Sequence, residues 1–249
     1  MTSLVMDLAA KVEALATDRR FQLVVLLLLV VYGAYRVRRG MGDYEVYERA
    51  AARAVAGESL YRLDDPHRYL YAPVVTVLFL PFAALPDTAG KVLWYIANVL
   101  MVVAILRWTA VLVFGSVRAP PGFYALVLLL SLRFVDNNIG HGQLNILLLW
   151  LILGGYVLAG RGRFALAGLA LAAAISAKLV PGVLLIQLLI RRQWRFVAAT
   201  GGAFAVLMAA PLVWWAGDYP QVLRDWIAVV VDQAGHYEIG NKINQSIYA

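Results

Sequence analysis

Three groups of polar residues interrupt an otherwise apolar sequence, and each of them could take part in chemistry. Asp43 follows the first apolar segment, and its carboxylate could accept a proton from a hydroxyl group. The segment DNNIGHGQLN, residues 136–145, concentrates amide, carboxylate and imidazole groups that suit a sugar. Lys178 lies within AAAISAKLVPGVLL, where a cation needs a partner, water or the membrane interface. A lipid phosphate would be a suitable partner for this cation.

Each group also has a purely structural interpretation. Asp43 could simply cap a helix, since Asp is a favoured N-cap residue. Residues 136–145 could be a polar turn in which Gly140 and Gly142 act as breakers. Lys178 could extend its ammonium group to the interface from a turn. The residues alone leave both interpretations open at all three places.

The composition indicates that lipid is the solvent for much of this chain. Hydrophobic residues make up 62% of its 249 residues, and charged residues only 15%. Soluble domains carry about 25% charged residues, so a soluble domain is excluded. The net charge of +7 lies in short clusters that mark membrane topology, and no basic face suited to nucleic acid is visible. The absence of cysteine excludes disulfides, thiolate metal sites and a cysteine nucleophile.

Apolar segments of helical length must position these groups. Residues 1–20 are predicted to form an interfacial segment. The apolar segments that follow cover residues 21–35, 73–85, 92–114, 122–135, 144–159, 164–177, 179–190 and 196–216. Several are shorter than the ~20 residues that cross a bilayer, and broken helices at membrane depth must face protein or a wet cavity. The predicted fold is therefore an all-α integral membrane domain over residues 1–249, a bundle of about seven or eight short or broken transmembrane helices.

Basic clusters predict how the chain crosses the membrane. Arg161 and Arg163 occupy one loop, a second loop contains RRQWR (191–195), and both are predicted to be cytoplasmic. They can share a side only if residues 164–190 cross outward and return, turning at Lys178. A single straight helix over 164–190 is the competing topology.

The returning topology places four polar segments on one extracytoplasmic face. These are the loop 38–72, the loop 135–143, the Lys178 turn and the tail 217–249. One conflict remains, because Arg36 and its basic neighbours would then lie outside. The convergence of the four segments predicts a functional site on that face.

The extracytoplasmic loop 38–72 is predicted to begin with an amphipathic helix that Asp43 opens and Gly57 ends. Helical periodicity predicts which residues lie on its apolar side and which on its charged side. The apolar side comprises Tyr44, Tyr47, Ala51, Ala54 and Val55, and the charged side Glu45, Arg49 and Arg53.

Several short motifs occur in a recognisable order. They comprise Asp43 and Tyr47, then Gly57, Leu60 and Tyr61, then Tyr69, Tyr71 and Pro73, then Trp94 and Asn98, then Gly142, Gln143 and Asn145, then Lys178 and Pro181, and finally Asn244, Gln245 and Ser246. In this order the chain resembles glycosyltransferase family 87, the polyprenyl-phosphate-mannose-dependent mannosyltransferases of the GT-C class. Such proteins usually continue for several more helices, so we expect this chain to be the N-terminal portion of a GT-C-like fold.

The resemblance implies an inverting membrane glycosyltransferase of the plasma membrane, active on the extracytoplasmic face. It would move a hexose, mannose being the expected sugar, from a polyprenyl-phosphate donor to a hydroxyl of a glycolipid or glycan acceptor. Asp43 would be the catalytic base and Lys178 the cation on the phosphate. The substrate-binding residues would be Tyr71, His141, Gln143 and Asn145. No metal, cofactor or nucleic acid is implied.

Two other functions fit the same sequence features. A lipid or solute transporter, or a flippase, also uses broken helices with polar residues at membrane depth. A catalytically inactive truncated fragment would fit the end of the chain at Ala249.

Overall fold

The computed structural model describes residues 18–120 and 122–235. Within these residues every regular element is helical and no strand occurs, which confirms the all-α prediction. The chain divides into two compact units, as far as each is described. Unit 1 comprises Met1–Glu45 and Leu85–Ala205, and unit 2 comprises Val46–Ala84 and Val206–Ala249. Most of the predicted interfacial segment 1–20, and the Asn244–Ser246 motif, lie outside the described residues.

Eleven α-helices are present in the described residues. In chain order they are α1 (Arg19–Arg39), α2 (Gly42–Ala56), α3 (Pro73–Ala83), α4 (Asp87–Phe114), α5 (Phe123–His141), α6 (Asn145–Gly160), α7 (Phe164–Ala177), α8 (Val183–Ile190), α9 (Trp194–Ala209), α10 (Leu212–Trp215) and α11 (Tyr219–Gly235). Short 3₁₀ helices cover Val180–Gly182 and Ala216–Asp218.

The predicted apolar segments correspond closely to these helices, with two departures. Helix α5 continues through the polar residues to His141, so the predicted loop 135–143 is largely helical. The predicted segment 196–216 is divided where α9 ends at Ala209. Pro211 follows, and proline cannot donate the next hydrogen bond of a helix.

Length and composition support an integral membrane protein. Among the described residues, four stretches are long and apolar enough to cross a bilayer: Arg19–Arg39, Asp87–Phe114, Phe123–His141 and Trp194–Trp215. Helices α3, α6 and α7 and the stretch Val180–Ile190 are apolar but shorter. The predicted mixture of full-length and short helices is thus present.

Residues 164–190 reverse direction. Helix α7 ends at Ala177, and Lys178 is extended, with φ −147° and ψ 133°. Helix α8 then packs back along α7, with Leu188 buried against Ala167 and Leu171. Near the end of α8, Gln187 accepts a hydrogen bond of 2.7 Å from the Tyr156 hydroxyl, close to where α6 ends.

The two basic loops consequently lie at the same end of unit 1. A cavity there is lined by Gly160 and Phe164 from one loop region and by Arg192 and Arg195 from the other. The returning topology was predicted from the requirement that these loops share a side. The structure agrees with it, and the single straight helix over 164–190 is wrong.

Small residues bring α7 close to its neighbours in unit 1. A Cβ atom added to Gly168 would lie 2.4 Å from the backbone carbon of Ala199 in α9. One added to Gly155 in α6 would lie 3.2 Å from the carbonyl oxygen of Ala167. Such contacts let helix backbones approach each other where the surroundings are apolar. The close packing of α7 against α6 and α9 restrains the helix from which the chain reverses at Lys178.

The apolar face of α2 is buried, as predicted, with one exception. Tyr44, Tyr47, Ala51 and Ala54 are each less than 5% exposed, but Val55 is 62% exposed. The prediction for Val55 is therefore wrong, because this residue lies one step around the helix from Ala54, near the helix end. The charged residues of α2 pair with residues outside the helix, Arg53 with Asp65 and Glu45 with Lys91.

Arg53 of α2 forms a two-pronged ion pair with Asp65 in unit 2. The two N–O distances are 2.6 and 2.8 Å. The two side chains are only 12% and 11% exposed. Hydrogen bonding to the guanidinium group lowers the pKa of the Asp65 carboxyl below its ordinary value. The pair fastens the loop after α2 to the helix itself.

Asp65→Asn is expected to destabilise the protein by about 1.5–3 kcal/mol, the value of hydrogen bonds to a charged group. That corresponds to a fall in Tm of the order of 5 °C at neutral pH. Because the pKa of Asp65 is lower in the folded state, its contribution is present above the unfolded pKa of about 4 and is lost as the pH falls through the folded pKa. Thermal unfolding in detergent, followed by tryptophan fluorescence from pH 7 downward, measures both effects.

Glu58→Gln is the matched control for this prediction. Glu58 pairs with Arg62 in the same loop, but these side chains are 53% and 39% exposed. Exposed pairs contribute about 0–1 kcal/mol, so this variant should change Tm little. Equal changes in the two variants would contradict a specific role for the Arg53–Asp65 pair.

Candidate active site

A tight turn at Gly142 places the polar segment against the start of α2. Gly142 ends α5 with φ +71°, a conformation that favours glycine. An added Cβ atom would lie 2.7 Å from the Cβ of Tyr44 and 3.0 Å from that of Met41. Met41 lies two residues before Asp43, and Tyr44 follows it directly. The turn and the N-terminus of α2 are therefore in direct contact within unit 1.

Buried amides hold this turn in place. Trp94 of α4 donates a hydrogen bond of 3.0 Å to the carbonyl oxygen of Gly142. Asn138 donates to the carbonyl oxygen of Gln143 at 3.1 Å and to the side-chain oxygen of Asn98 at 3.3 Å. Asn98 and Asn138 are only 1% and 3% exposed. The turn backbone is thus bound by α4 and α5, so it is a rigid support for the side chains that follow.

The same turn presents a chain of polar side chains that ends on Lys178. The Asn145 amide donates to Gln143 Oε1 at 2.7 Å. Lys178 Nζ donates to Asn145 Oδ1 at 2.9 Å. Asn145 begins α6 and Lys178 follows the end of α7, and these helices are joined by the short turn 161–163. An antiparallel helix pair of this kind necessarily brings the start of the first helix beside the end of the second.

Lys178 is exposed and has unused hydrogen-bonding capacity. An ammonium group carries three donors, and the contact with Asn145 uses one. No carboxylate within the described ranges lies at ion-pair distance from it. The side chains that follow, Leu179 and Val180, are apolar and 73% and 76% exposed. A cation beside exposed apolar groups is the arrangement that an amphipathic anion would match.

Asp43 is the second residue of α2, which begins at Gly42. It is partly exposed, and in the part of the chain that the structure covers no hydrogen bond or ion pair to its carboxylate is found. The structure therefore gives no support to a capping role. A carboxylate in the first turn of a helix interacts favourably with the helix dipole. Asp43 is available to act on a substrate hydroxyl.

Lys91, which the sequence analysis missed, fixes the start of α2. Its ammonium group lies 2.8 Å from Glu45 and 2.9 Å from Asp87, and its side chain is 8% exposed. Glu45 is two residues beyond Asp43, so the ion pair restrains the backbone that bears the candidate base. The i,i+4 spacing of Asp87 and Lys91 was the one local signal that could have indicated this residue.

Arg36 is paired with Asp136. The guanidinium group of Arg36 and the hydroxyl of Tyr32 both donate to this carboxylate, the latter at 2.6 Å. Arg36 also occupies the space beside Gly140, where an added Cβ atom would lie 2.8 Å from it. This ion pair explains why the basic residue Arg36 can lie beside the polar segment 136–145. The positive-inside rule would have placed Arg36 on the cytoplasmic side, away from this segment. The ion pair also engages Asp136, whereas the Asp43 carboxylate has no such partner among the described residues.

The remaining predicted residues have different surroundings. His141 is exposed at the end of α5, with Nδ1 2.9 Å from the carbonyl oxygen of Asn137. Tyr71 belongs to unit 2, where its hydroxyl lies 3.0 Å from that of Tyr47. The Tyr61 hydroxyl donates to the carbonyl oxygen of Tyr71 at 2.8 Å, and burial raises the pKa of Tyr61 well above its ordinary value. Unit 1 therefore brings together Gln143, Asn145 and Lys178.

Comparison with known proteins decides the family. The profile of Glycosyltransferase family 87 matches residues 69–249. The chain belongs to glycosyltransferase family 87. Tyr71, His141, Gln143, Asn145 and Lys178 all lie inside the matched range of this family, whereas Asp43 precedes it. No solved structure matches the chain.

Two curated relatives of the family 87 chain come from Mycobacterium tuberculosis. One is a polyprenol-phosphate-mannose-dependent alpha-(1-2)-phosphatidylinositol mannoside mannosyltransferase, 29% identical over 200 residues. The other is an alpha-(1->3)-arabinofuranosyltransferase, 35% identical over 184 residues. Each alignment covers 69% of this chain, but only 45% of the first relative and 41% of the second. The chain thus spans less than half the length of the curated relatives it matches.

Proposed function

We propose that this chain carries the catalytic base and the donor-phosphate site of a membrane glycosyltransferase. The reaction is inverting transfer of a hexose, with mannose as the first candidate, from polyprenyl phosphate to a hydroxyl of a glycolipid or glycan. It takes place at the extracytoplasmic face of the plasma membrane. The observation that carries the proposal is the Gly142 turn, which contacts Met41 and Tyr44 on either side of Asp43 and leads within three residues to Asn145, the partner of Lys178.

The length of the chain limits the distance between Gly142, which packs beside Asp43, and Asn145, which binds Lys178. Residues 142 and 145 are three apart, and an extended chain advances at most about 3.6 Å per residue, so their Cα atoms are within roughly 11 Å. A carboxylate and a cation held at one end of unit 1 suit a reaction in which a hydroxyl is deprotonated and a phosphate departs.

The step balances with these groups alone. The acceptor hydroxyl oxygen attacks the anomeric carbon, its proton passes to Asp43, and the bond from that carbon to the phosphate oxygen breaks. The electron pair leaves with polyprenyl phosphate, and in-line attack inverts the anomeric centre. Lys178 stabilises the negative charge on the departing phosphate, so no separate proton donor is needed. Gln143, Asn145 and His141 supply hydrogen bonds to the sugar.

The surroundings of Lys178 favour a lipid-linked donor. Leu179 and Val180 expose apolar surface directly beside the ammonium group. A polyprenyl phosphate combines an apolar chain with an anionic head, whereas a nucleotide sugar would bring a second polar group to this apolar surface. The name of one relative also specifies a polyprenol-phosphate-mannose donor, while the other names an arabinofuranosyl group. The donor class is thus supported more strongly than the sugar.

A transfer assay tests the proposal. The protein in nanodiscs is given membrane glycolipids and one of three radiolabelled donors: polyprenyl-phosphate mannose, polyprenyl-phosphate arabinofuranose or a nucleotide-linked mannose. We expect labelled glycolipid from polyprenyl-phosphate mannose, less from the arabinose donor and none from the nucleotide donor. Absence of transfer from both lipid-linked donors would contradict the proposal. Movement of the intact donor across the bilayer without transfer would indicate a flippase instead.

A further inference from the structure

A cavity of about 540 Å³ lies wholly within unit 2 and is not used by the proposed mechanism. Cavities of roughly 300–1,000 Å³ are typical of small-molecule sites. Its walls come from the end of α2, the loop that follows, and the residues from α10 into α11. They combine aromatic rings with amide and carboxylate groups: Tyr61, Trp214, Trp215, Asp218, Gln221 and Asp225.

Trp214 presents a fixed aromatic surface in this cavity. Its indole N–H donates a hydrogen bond of 3.2 Å to the carbonyl oxygen of Ala54, yet half of the residue remains exposed. The polar edge of the ring is therefore already satisfied, and what remains available is apolar ring surface. A ring anchored in this way loses little conformational entropy when a ligand stacks on it.

Polar groups of the cavity carry unused acceptors and a negative charge. The Gln221 amide donates to one oxygen of Asp225 at 2.7 Å, which leaves the Gln221 oxygen and the other carboxylate oxygen available. Asp218 is exposed. Within residues 18–120 and 122–235, neither aspartate forms an ion pair, and no group of three potential metal ligands is present. The cavity is thus suited to hydroxyl donors and unsuited to phosphate.

We propose that this cavity binds a neutral saccharide, the sugar portion of the acceptor. A pyranose or furanose ring has an apolar face of C–H groups that can stack on Trp214, and hydroxyls that can donate to Asp218, Asp225 and Gln221. The assignment to the acceptor rests on the proposed function. Charge would then distinguish the donor from the acceptor. Lys178 attracts the phosphate of the donor, and the aspartates of the cavity repel that phosphate.

The alternative occupant is the membrane itself. Trp214 and Trp215 end a stretch that is apolar enough to span a bilayer, and tryptophan is common at membrane interfaces. The lining argues against lipid, because acyl chains would desolvate the three carboxylates of Glu58, Asp218 and Asp225, and anionic head groups would be repelled by them. Interfacial anchoring is nevertheless retained as an outcome of the experiment.

Direct binding of free saccharides tests the inference without any donor. The protein in nanodiscs is titrated with methyl mannoside, α-linked mannobiose and methyl arabinofuranoside, and saturation-transfer NMR gives the Kd of each. Mannose 1-phosphate serves as the charged probe. We expect saturable binding of at least one neutral sugar and weaker binding of the phosphate. Trp214→Leu should raise Kd about tenfold, since it removes the stacking surface.

Trp226→Leu is the matched control. Trp226 is also in unit 2 and also donates its indole N–H to a backbone carbonyl, that of Leu70 at 2.9 Å, but it does not line the cavity. Its loss should leave sugar binding unchanged. Two conservative substitutions guard against a folding defect. Trp214→Phe keeps an aromatic face, and we expect it to retain most of the sugar binding. Asp218→Asn keeps the size of the side chain, and we expect it to weaken sugar binding.

Three results would overturn the inference: no saturable sugar binding by the unaltered protein, unchanged binding in both Trp214→Leu and Asp218→Asn, or tighter binding of mannose 1-phosphate than of methyl mannoside. Unchanged sugar binding in Trp214→Leu, together with a loss of the tryptophan fluorescence quenching that brominated lipids cause in the unaltered protein, would identify an interfacial anchor. Because no donor is present, these failures are distinct from failure of sugar transfer. Transfer that persists without free-sugar binding would leave the proposed function intact and remove only the acceptor cavity.

Discussion

Asp43→Asn should reduce sugar transfer by about 100-fold or more, the usual contribution of a general base, while the protein remains folded. Asn preserves the shape of the side chain but cannot take up the proton of the attacking hydroxyl. The structural cost is small, because the carboxylate lies in the first turn of α2 without a hydrogen bond among the described residues. Losing its interaction with the helix dipole costs only about 0.3–1 kcal/mol. The measurement is transfer from polyprenyl-phosphate mannose, alongside the Tm of each variant.

Two substitutions show whether such a loss is specific. Asp64→Asn makes the same chemical change at an exposed position in the loop after α2, and should leave transfer unchanged. Glu45→Gln weakens the ion pair with Lys91 without removing the candidate base, so transfer should fall only modestly. Normal turnover by a well-folded Asp43→Asn variant would remove Asp43 from the mechanism. The experiment is informative because Asp43 lies outside the range that identifies the family.

Lys178→Gln should weaken the binding of polyprenyl phosphate by more than about tenfold, because charge-assisted hydrogen bonds are roughly twice as strong as neutral ones. Binding of the acceptor should change much less. Lys178→Arg retains the charge but prefers two-pronged contacts, so it should keep part of the affinity. The measurement is the affinity of the three proteins for polyprenyl phosphate in nanodiscs.

Arg191→Gln is the matched control for the lost charge. Arg191 is exposed and follows the last residue of α8, at the end remote from Lys178. If general attraction to anionic lipid were responsible, both Gln variants would bind polyprenyl phosphate less well. If Lys178 only reaches for the interface, Lys178→Gln would bind normally and would be as stable as the parent or more so. Either outcome would exclude Lys178 from a phosphate site.

The features that could be predicted from sequence are those with a local or compositional signal. Apolar runs predicted the helices closely, and basic clusters predicted the reversal at Lys178. That reversal accounts for the contact between Lys178 and Asn145. Helix α5 was predicted too short because its last residues are polar. Asn138 is helical and buried there, since its amide is satisfied by Asn98 and by the turn that follows.

The features that could not be predicted join residues far apart in sequence. Lys91 pairs with Glu45, and Arg36 with Asp136, across spans of helix that carry no local sign of their partner. The cavity beside Trp214 likewise depends on the packing of α2 near α10 and α11. Hydrophobic periodicity specifies which face of a helix is buried, but it does not specify which charged side chains meet there.

The brevity of α7 has a consequence for the lipid around it. Its 14 residues rise about 21 Å, whereas the hydrocarbon core of a bilayer is about 30 Å thick. Local thinning of the bilayer is one of the ways in which a membrane accommodates a helix that short. We therefore expect the leaflet to be indented where Lys178 ends α7, with lipid head groups drawn inward toward the ammonium group. A polyprenyl phosphate would then meet its cation at the floor of this depression, without carrying its charge into hydrocarbon.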